Sequence, residues 1–198
     1  MFKKEFNNSF LSAKIWHIKG VMCMLDIVLI KPDLSYSEDI MAYRKEMLDN
    51  HDSLDGTSCL ERYDNAEAWL EHLETMSDVT TCPKEFVTST TYIGVRQSDN
   101  KIVGMIDLRH HINHPVLSVW GGHIGYSVRP SERRKGYAKA MLKLVLEEAK
   151  KHHLTKVLVT CNHDNLGSNK TILANGGVFE KTIELEGILI NRYWIDIE

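Results

Sequence analysis

The sequence predicts an α+β domain built on one mixed, mostly antiparallel central sheet flanked by helices. Three observations predict it. Strand-like runs rich in Val, Ile, Thr and Tyr alternate with helical patterns in the order β-α-α-β-β-β-α-β-α-β-β. Turn chemistry at "SDN" (98–100) and at Glu186-Gly187 joins neighbouring runs as hairpins rather than crossovers. One run, "TKVLVTCN" (155–162), has few polar residues, as a strand covered on both faces does.

Each element has its own warrant. "LDIVLIKP" (25–32) is a strand that stops at Pro32. "SYSEDIMAYRKEMLDN" (35–50) is a helix with acids in its first turn, capped by Ser35 or Ser37, with Ile40, Tyr43, Met47 and Leu48 on one face. "DNAEAWLEHLETMSD" (64–78) is a second helix, capped by Asp64, with Ala68, Leu70 and Leu73 turned partly inward. "EFVTSTTYIGVRQ" and "KIVGMIDLRH" make a hairpin. "VLSVWGGHIGYSVRP" (116–130) reads as a third long strand, bent at Gly121-Gly122. A helix from about Lys135 to His152 carries the stripe Ala138, Met141, Leu142, Val145, Leu146 and Ala149. "NLGSNKTILANGG" is a short helix closed by Asn175-Gly176-Gly177, and "VFEKTIEL" and "ILINRYWIDI" form the last hairpin.

Length and composition bound the rest. The chain has 198 residues, 43% hydrophobic and 26% charged, which suits one globular domain. A net charge of −3 gives no bulk argument for nucleic acid. The charge is uneven, however. Residues 33–78 hold 13 Asp+Glu and 3 Lys+Arg, a net of −10, while residues 129–156 hold 9 Lys+Arg and 3 Asp+Glu, a net of +6. Either these are solvated helix faces, or one attracts a cationic partner and the other a polyanion. Cys23, Cys59, Cys82 and Cys161 lie far apart with no paired ligand spacing, so free thiols in the cytoplasm are expected. No apolar run is long enough to span a membrane, and "VMCMLDIVLI" is interrupted by Asp26. Residues 1–23 lack a clean period. They are expected to be an extension upstream of a natural start at Met24, with a single domain over 24–198; the other reading is an arm packed on the domain or on a second copy in a homodimer.

The stretch "VRPSERRKGYAKAML" (128–142) suits a loop that grips an anion. A helix N-terminus offers unpaired N–H donors and a partial positive charge. Gly136 admits close approach to the main chain, Ala138 is small, and Arg133, Arg134 and Lys135 add charge. The same features also fit a basic turn capping a structural helix. The spacing Arg133-x-x-Gly136-x-Ala138 after "SVRP" resembles the R/Q-x-x-G-x-G/A signature of the GNAT superfamily of acyl-CoA N-acyltransferases, and residues 26–196 follow that family's element order.

The resemblance implies acetyl-CoA as cosubstrate, while the residue spacings themselves lead to no metal being expected. It implies pyrophosphate binding at Arg133, Arg134, Lys135, Gly136, Tyr137 and Ala138, mostly through backbone N–H groups, and pantetheine pairing with the backbone of Tyr126, Ser127 and Val128. A backbone N–H of that strand is expected to polarise the thioester carbonyl. "NHDNLGSNKTI" matches a later motif, so Asn165, with Ser168 three residues on, is expected to contact the pantetheine or the amine; the bland alternative is an N-cap. The position where many members carry an acidic Tyr holds Ile172, leaving Tyr137 and Tyr193 as stand-ins. His123 lies near where members often place a Glu base, and is expected either to be the base or to be a strand histidine with a structural hydrogen bond. His110, His111 and His114 lack a paired metal-ligand spacing.

The implied activity is acetyl transfer from acetyl-CoA to a primary amine by direct attack, with an acidic 33–78 segment favouring a cationic acceptor. The alternative is a non-catalytic coenzyme A-binding module that senses or regulates. Nucleic-acid binding through residues 129–156 is disfavoured, since aromatic interleaving is absent there.

Overall fold

Seven strands form one sheet in the order β1-β2-β3-β4-β5-β7-β6 in the computed structural model, which describes residues 26–197. They are β1 (Ile27–Ile30), β2 (Ser89–Arg96), β3 (Lys101–Arg109), β4 (Ile124–Val128), β5 (Lys156–Asn162), β6 (Val178–Leu185) and β7 (Ile188–Asp196). Every neighbouring pair is antiparallel except β4 and β5, which run parallel. This is the expected mixed α+β sheet. The expectation about residues 1–23 lies outside the described residues.

Helices cover both faces of the sheet, which is why β2 and β3 are buried along almost their whole length. Alternation sorts their side chains. Ile93, Val95 and Met105 pack with Ile40, Tyr43 and Met47 of α1 (Ser37–Asp49) and with Trp69 of α2 (Ala66–Ser77). Ile106, Leu108 and Ile124 pack on the other face with Met141, Leu142 and Val145 of α3 (Tyr137–Lys151). Each such side chain contributes roughly 1.5–3 kcal/mol relative to staying exposed. The predicted stripe of α3 holds, with Met141, Leu142, Val145 and Ala149 fully buried. α4 (Leu166–Leu173) follows β5 and is closed as expected, Gly177 N–H donating to Ile172 O at 3.0 Å and Gly176 N–H to Leu173 O at 3.2 Å. No helix among the described residues is long and apolar enough to cross a membrane.

Three local expectations are corrected. The long strand at 116–130 is instead a π-helical turn over Leu117–Gly121 followed by the short β4. β3 has ended by then, so the turn has no strand partner; its carbonyls are met by side chains, Arg109 Nη1 donating to Gly121 O and Gly122 O, and Arg192 Nη1 to Ser118 O and Val119 O. α1 is entered through a 3-10 turn over Leu34–Tyr36 capped by Asp33, not by Ser35 or Ser37, and α2 is capped by Asn65, not by Asp64. Leu48 faces outward, and the buried aromatic of α2 is Trp69, whose Nε1–H donates to Thr57 O at 2.8 Å.

The two charged segments meet each other. Arg129, 3% exposed, bonds Asp39 at 2.6 Å and lies 3.5 Å from Glu46, whose other oxygen accepts from Ser131 N–H at 2.9 Å; Arg133 pairs with Asp52 at 2.7 Å. Three of the thirteen acids, Asp39 and Glu46 of α1 and Asp52 just after it, therefore clamp the basic loop.

Candidate active site

The parallel pair β4 and β5 touches at a single register position, Ile124 opposite Val159, and the strands then part. The antiparallel register of β3 and β4 decides which backbone groups line the gap. Arg109 N–H donates to His123 O and Arg129 N–H to Val103 O, so the odd-numbered residues of β4 bond toward β3. By alternation, the N–H and C=O of Tyr126 and Val128 point into the gap. Such a row of unpaired groups takes an extended chain of amides, as a sheet edge does. Val128 O accepts from Arg133 Nε at 3.1 Å, which closes one end of the row.

The loop after β4 runs into α3 through two left-handed residues, Arg134 at φ 64° and Gly136 at φ 88°. That geometry, rather than helix propensity, delays α3 to Tyr137. No side chain caps α3, whereas Asn65 caps α2 and Asn165 caps α4. The first-turn N–H groups of a 15-residue helix are thus left for an anion. The cations are less free than their number suggests. Arg133 is held by Asp52 and Val128 O, and Lys135 Nζ bonds Glu132 at 2.8 Å. Burial raises the Glu132 carboxyl, but hydrogen bonds from Arg96 and Lys135 outweigh it and hold it down at about 2. Arg134 is exposed.

Across the gap, Tyr126 OH and Ser168 Oγ share a hydrogen bond of 2.7 Å, joining β4 to the first turn of α4. Burial pushes the Tyr126 phenol up and keeps it protonated. Cys161 on β5 is half-buried nearby, its thiol raised to about 11 by burial.

On the α1–α2 side the 50–60 loop lies directly on β4. Gly56 has φ 74°, and a Cβ there would sit 2.3 Å from Gly125 O, so only glycine fits. Next to this contact, Asp107 of β3 stands opposite Gly125 and Thr91 of β2 stands opposite Asp107. Thr91 also lines a cavity of about 650 Å³ walled by Asp33, by Glu67, Glu71 and Glu74 of α2, and by one cation, Lys31.

Several expected site residues have other employment. His123 is 5% exposed, and its Nδ1 accepts from Leu158 N–H at 2.9 Å, so the ring's acceptor nitrogen is occupied and Nε2 carries the proton. Burial, and then Arg109, lowers its pKa to about 4. This geometry favours the strand-histidine reading over the base reading. The Ser127 backbone faces β3, and its Oγ donates to Asp55 O at 2.5 Å while accepting from Tyr43 OH at 2.9 Å, all away from the gap. Tyr137 is buried with its hydroxyl on Arg96, and Tyr193 OH donates to Asn169 Oδ1 at 2.5 Å, so neither stands in for position 172. Ile172 itself is fully buried. Asn165 Oδ1 accepts from Ser168 N–H at 3.0 Å, the cap alternative. Beneath it Asn169 accepts from Tyr193 and Asn191 and donates to the carbonyls of Asn162, His163 and Asn165, which fixes the start of α4 at the gap. Asp107, Gly56 and Asn169 were absent from the sequence reading. Asp107 alone left a signal, as a lone acid inside a strand of buried type.

The sequence model of the acetyltransferase (GNAT) family matches residues 55–175, more than half of the chain. A 50-residue stretch is 40% identical to the uncharacterized N-acetyltransferase YjdG of Bacillus subtilis (strain 168), covering 25% of this chain and 30% of that protein. Among solved structures, RimJ of Mycobacterium smegmatis in complex with CoA-disulfide is similar at a TM-score of 0.61 with 17% identity, covering 86% of this chain and 81% of that one. The ribosomal-protein-S5-alanine acetyltransferase of Vibrio fischeri is similar at 0.60 with 17% identity, covering 87% and 92%. The microcin C7 self-immunity acetyltransferase MccE, in complex with acetyl-CoA and AMP, is similar at 0.59 with 18% identity, covering 87% and 93%. The family match runs from the loop before α2 through α4, and the chain belongs to the acetyltransferase (GNAT) family.

Proposed function

We propose that this chain transfers the acetyl group of acetyl-CoA to the primary amine of a cationic acceptor. The observation that carries the reading is the parting of β4 from β5 beside an uncapped α3 N-terminus. Backbone N–H and C=O groups of Tyr126 and Val128 hold the pantetheine, and the N–H groups of Arg134 to Ala138 hold the pyrophosphate, with the exposed Arg134 as an added cation. The Tyr126 N–H polarises the thioester carbonyl. The hydroxyl pair of Ser168 and Tyr126 supplies the proton that Ile172 cannot. Asn165 acts through the helix it caps, placing Ser168 at the gap.

The acceptor class rests on what remains of the acidic segment after α1 has clamped the loop. Glu67, Glu71, Glu74 and Asp33 line one cavity, and a cationic amine is attracted there. MccE, in complex with acetyl-CoA and AMP, and the ribosomal-protein-S5-alanine acetyltransferase of Vibrio fischeri are similar in fold.

The test is Gly136→Asp, which sets a carboxylate against the pyrophosphate. With its fold checked by circular dichroism, the variant is expected to bind acetyl-CoA at least about tenfold more weakly by calorimetry, roughly 1.4 kcal/mol. Unchanged affinity in a folded variant would place the cofactor elsewhere.

A further inference from the structure

A carboxylate inside a buried strand needs a reason. β3 reads "KIVGMIDLR", and Asp107 within it is 3% exposed. Desolvating a carboxylate costs several kcal/mol unless hydrogen bonds and a close counter-ion offset it. Here the compensation is incomplete. Thr91 Oγ1 donates to Oδ1 at 2.9 Å. The paired cation, Arg109 Nε, is 3.7 Å from Oδ2, beyond hydrogen-bond reach, and Arg109 Nη1 is turned to the carbonyls of Gly121 and Gly122. Oδ2 is thus left able to take another donor.

Its position gives that capacity a use. Met105, two residues earlier, packs on the α1–α2 side, while Ile106 and Leu108 pack with α3, so Asp107 faces the side of the acidic cavity. It stands opposite Gly125, which has no side chain, and the loop over Gly125 is Gly56. Facing Cα atoms in such a pair are about 5.5 Å apart. The next residue of β4 is Tyr126, whose N–H enters the gap. Thr91 links the carboxylate to the cavity wall.

We propose that Asp107 is the catalytic base for the acceptor amine, in place of His123. This rests on the acetyl-transfer reading. The ammonium gives one proton to Asp107 Oδ2. The freed nitrogen pair forms the C–N bond with the thioester carbon, the now cationic nitrogen releases its second proton to solvent, and the C–S bond breaks with its electrons on sulphur. The sulphur takes a proton from the Ser168–Tyr126 hydroxyl pair, which solvent replenishes, and Asp107 returns its proton to solvent. The titratable and charged groups around it are Arg109 on its strand, Cys59 on the loop, His72 on α2, and Tyr92 and His110 across the sheet.

The test uses the full chain, its Asp107→Asn variant, and thiol release from acetyl-CoA at pH 7 with two probes. Spermidine arrives protonated and needs a base. Methoxyamine is already neutral and does not. The variant is expected to lose roughly 10²–10⁴-fold in kcat/KM with spermidine and to stay within about threefold with methoxyamine. Acetyl-CoA affinity is expected to be unchanged by calorimetry. Equal loss with both probes makes Asp107 a structural residue, and no loss with spermidine removes it from catalysis; either result overturns the proposal. If the unmodified chain releases no thiol with either probe yet binds acetyl-CoA, the acetyl-transfer reading fails and the base role with it. Asp107→Ser is read by the same contrast should the Asn variant not fold.

Discussion

Ile172 has no proton to give, and the hydroxyl nearest in sequence on its helix is Thr171, but the one that meets β4 across the gap is Ser168. Removing it is the direct check. Ser168→Ala is expected to lower kcat at least about 10²-fold, the lower end for lost acid catalysis, with acetyl-CoA affinity little changed. A variant that keeps its kcat would leave protonation to solvent. His123 makes the opposite case at the same scale. Its replacement by Ala leaves Leu158 N–H buried without an acceptor, so the expected effect is on stability, roughly 1–3 kcal/mol by urea unfolding. His123→Gln, which can offer an amide oxygen to Leu158, is expected to recover part of that loss. A kinetic defect without a stability loss would restore His123 as a base. Nothing in "GGHIGY" says whether a ring nitrogen is free, because the donor that occupies it is 35 residues away in β5.

At the scale of elements, the clamp between α1 and the signature loop holds the proposed anion site in place. Arg129 is buried and carries two acidic neighbours, so Arg129→Ala strands Asp39 and Glu46 and is expected to cost about 3 kcal/mol. The Arg133–Asp52 pair is more exposed, and Asp52→Ala is expected to cost less than about 1 kcal/mol. Similar unfolding midpoints for the two variants would contradict the clamp. The element order was legible because the signals are local, as the helical period of α3 and the unbroken apolar run of β5 show. The pairing of the acidic and basic segments was not. Their opposite charges can be counted, but whether they find each other or outside partners depends on how α1 crosses the sheet. The 116–130 run misled for a related reason: its apolar residues look like a strand, and only the early end of β3 removes the neighbour that a strand needs.

For the whole molecule, one buried and two half-buried histidines set the acid limit of stability. Burial lowers His123 to about 4; burial and then His152, stacked at 3.8 Å, lower His110 to about 4; and burial lowers His152. These folded values lie below the unfolded value of about 6.5, so the unfolded chain binds more protons between them. The contribution is complete above pH ~6.5 and is lost as pH falls toward 4. Melting temperature is expected to be level near pH 7–8 and to drop between pH 6.5 and 4, less steeply in His110→Gln. An unchanged slope in that variant would assign the drop to other groups. Glu132, held at about 2, adds a second loss below its unfolded range near pH 4.5.

What the sequence by itself determined was the α+β class, the order of elements, the α3 stripe and the family signature before it, because each is written in short-range periodicity and spacing: Met141, Leu142, Val145 and Ala149 recur at helical intervals, and Gly136 stands at the start of that helix. What only the tertiary structure decided was which groups meet. Register turned Tyr126 and Val128 into the gap and Ser127 out of it, since one residue's shift reverses every backbone group. Strand pairing set Thr91, Asp107 and Gly125 in one row from residues 34 apart in the chain, and it gave the lone nitrogen acceptor of His123 to Leu158. These are long-range contacts, and no local pattern encodes them.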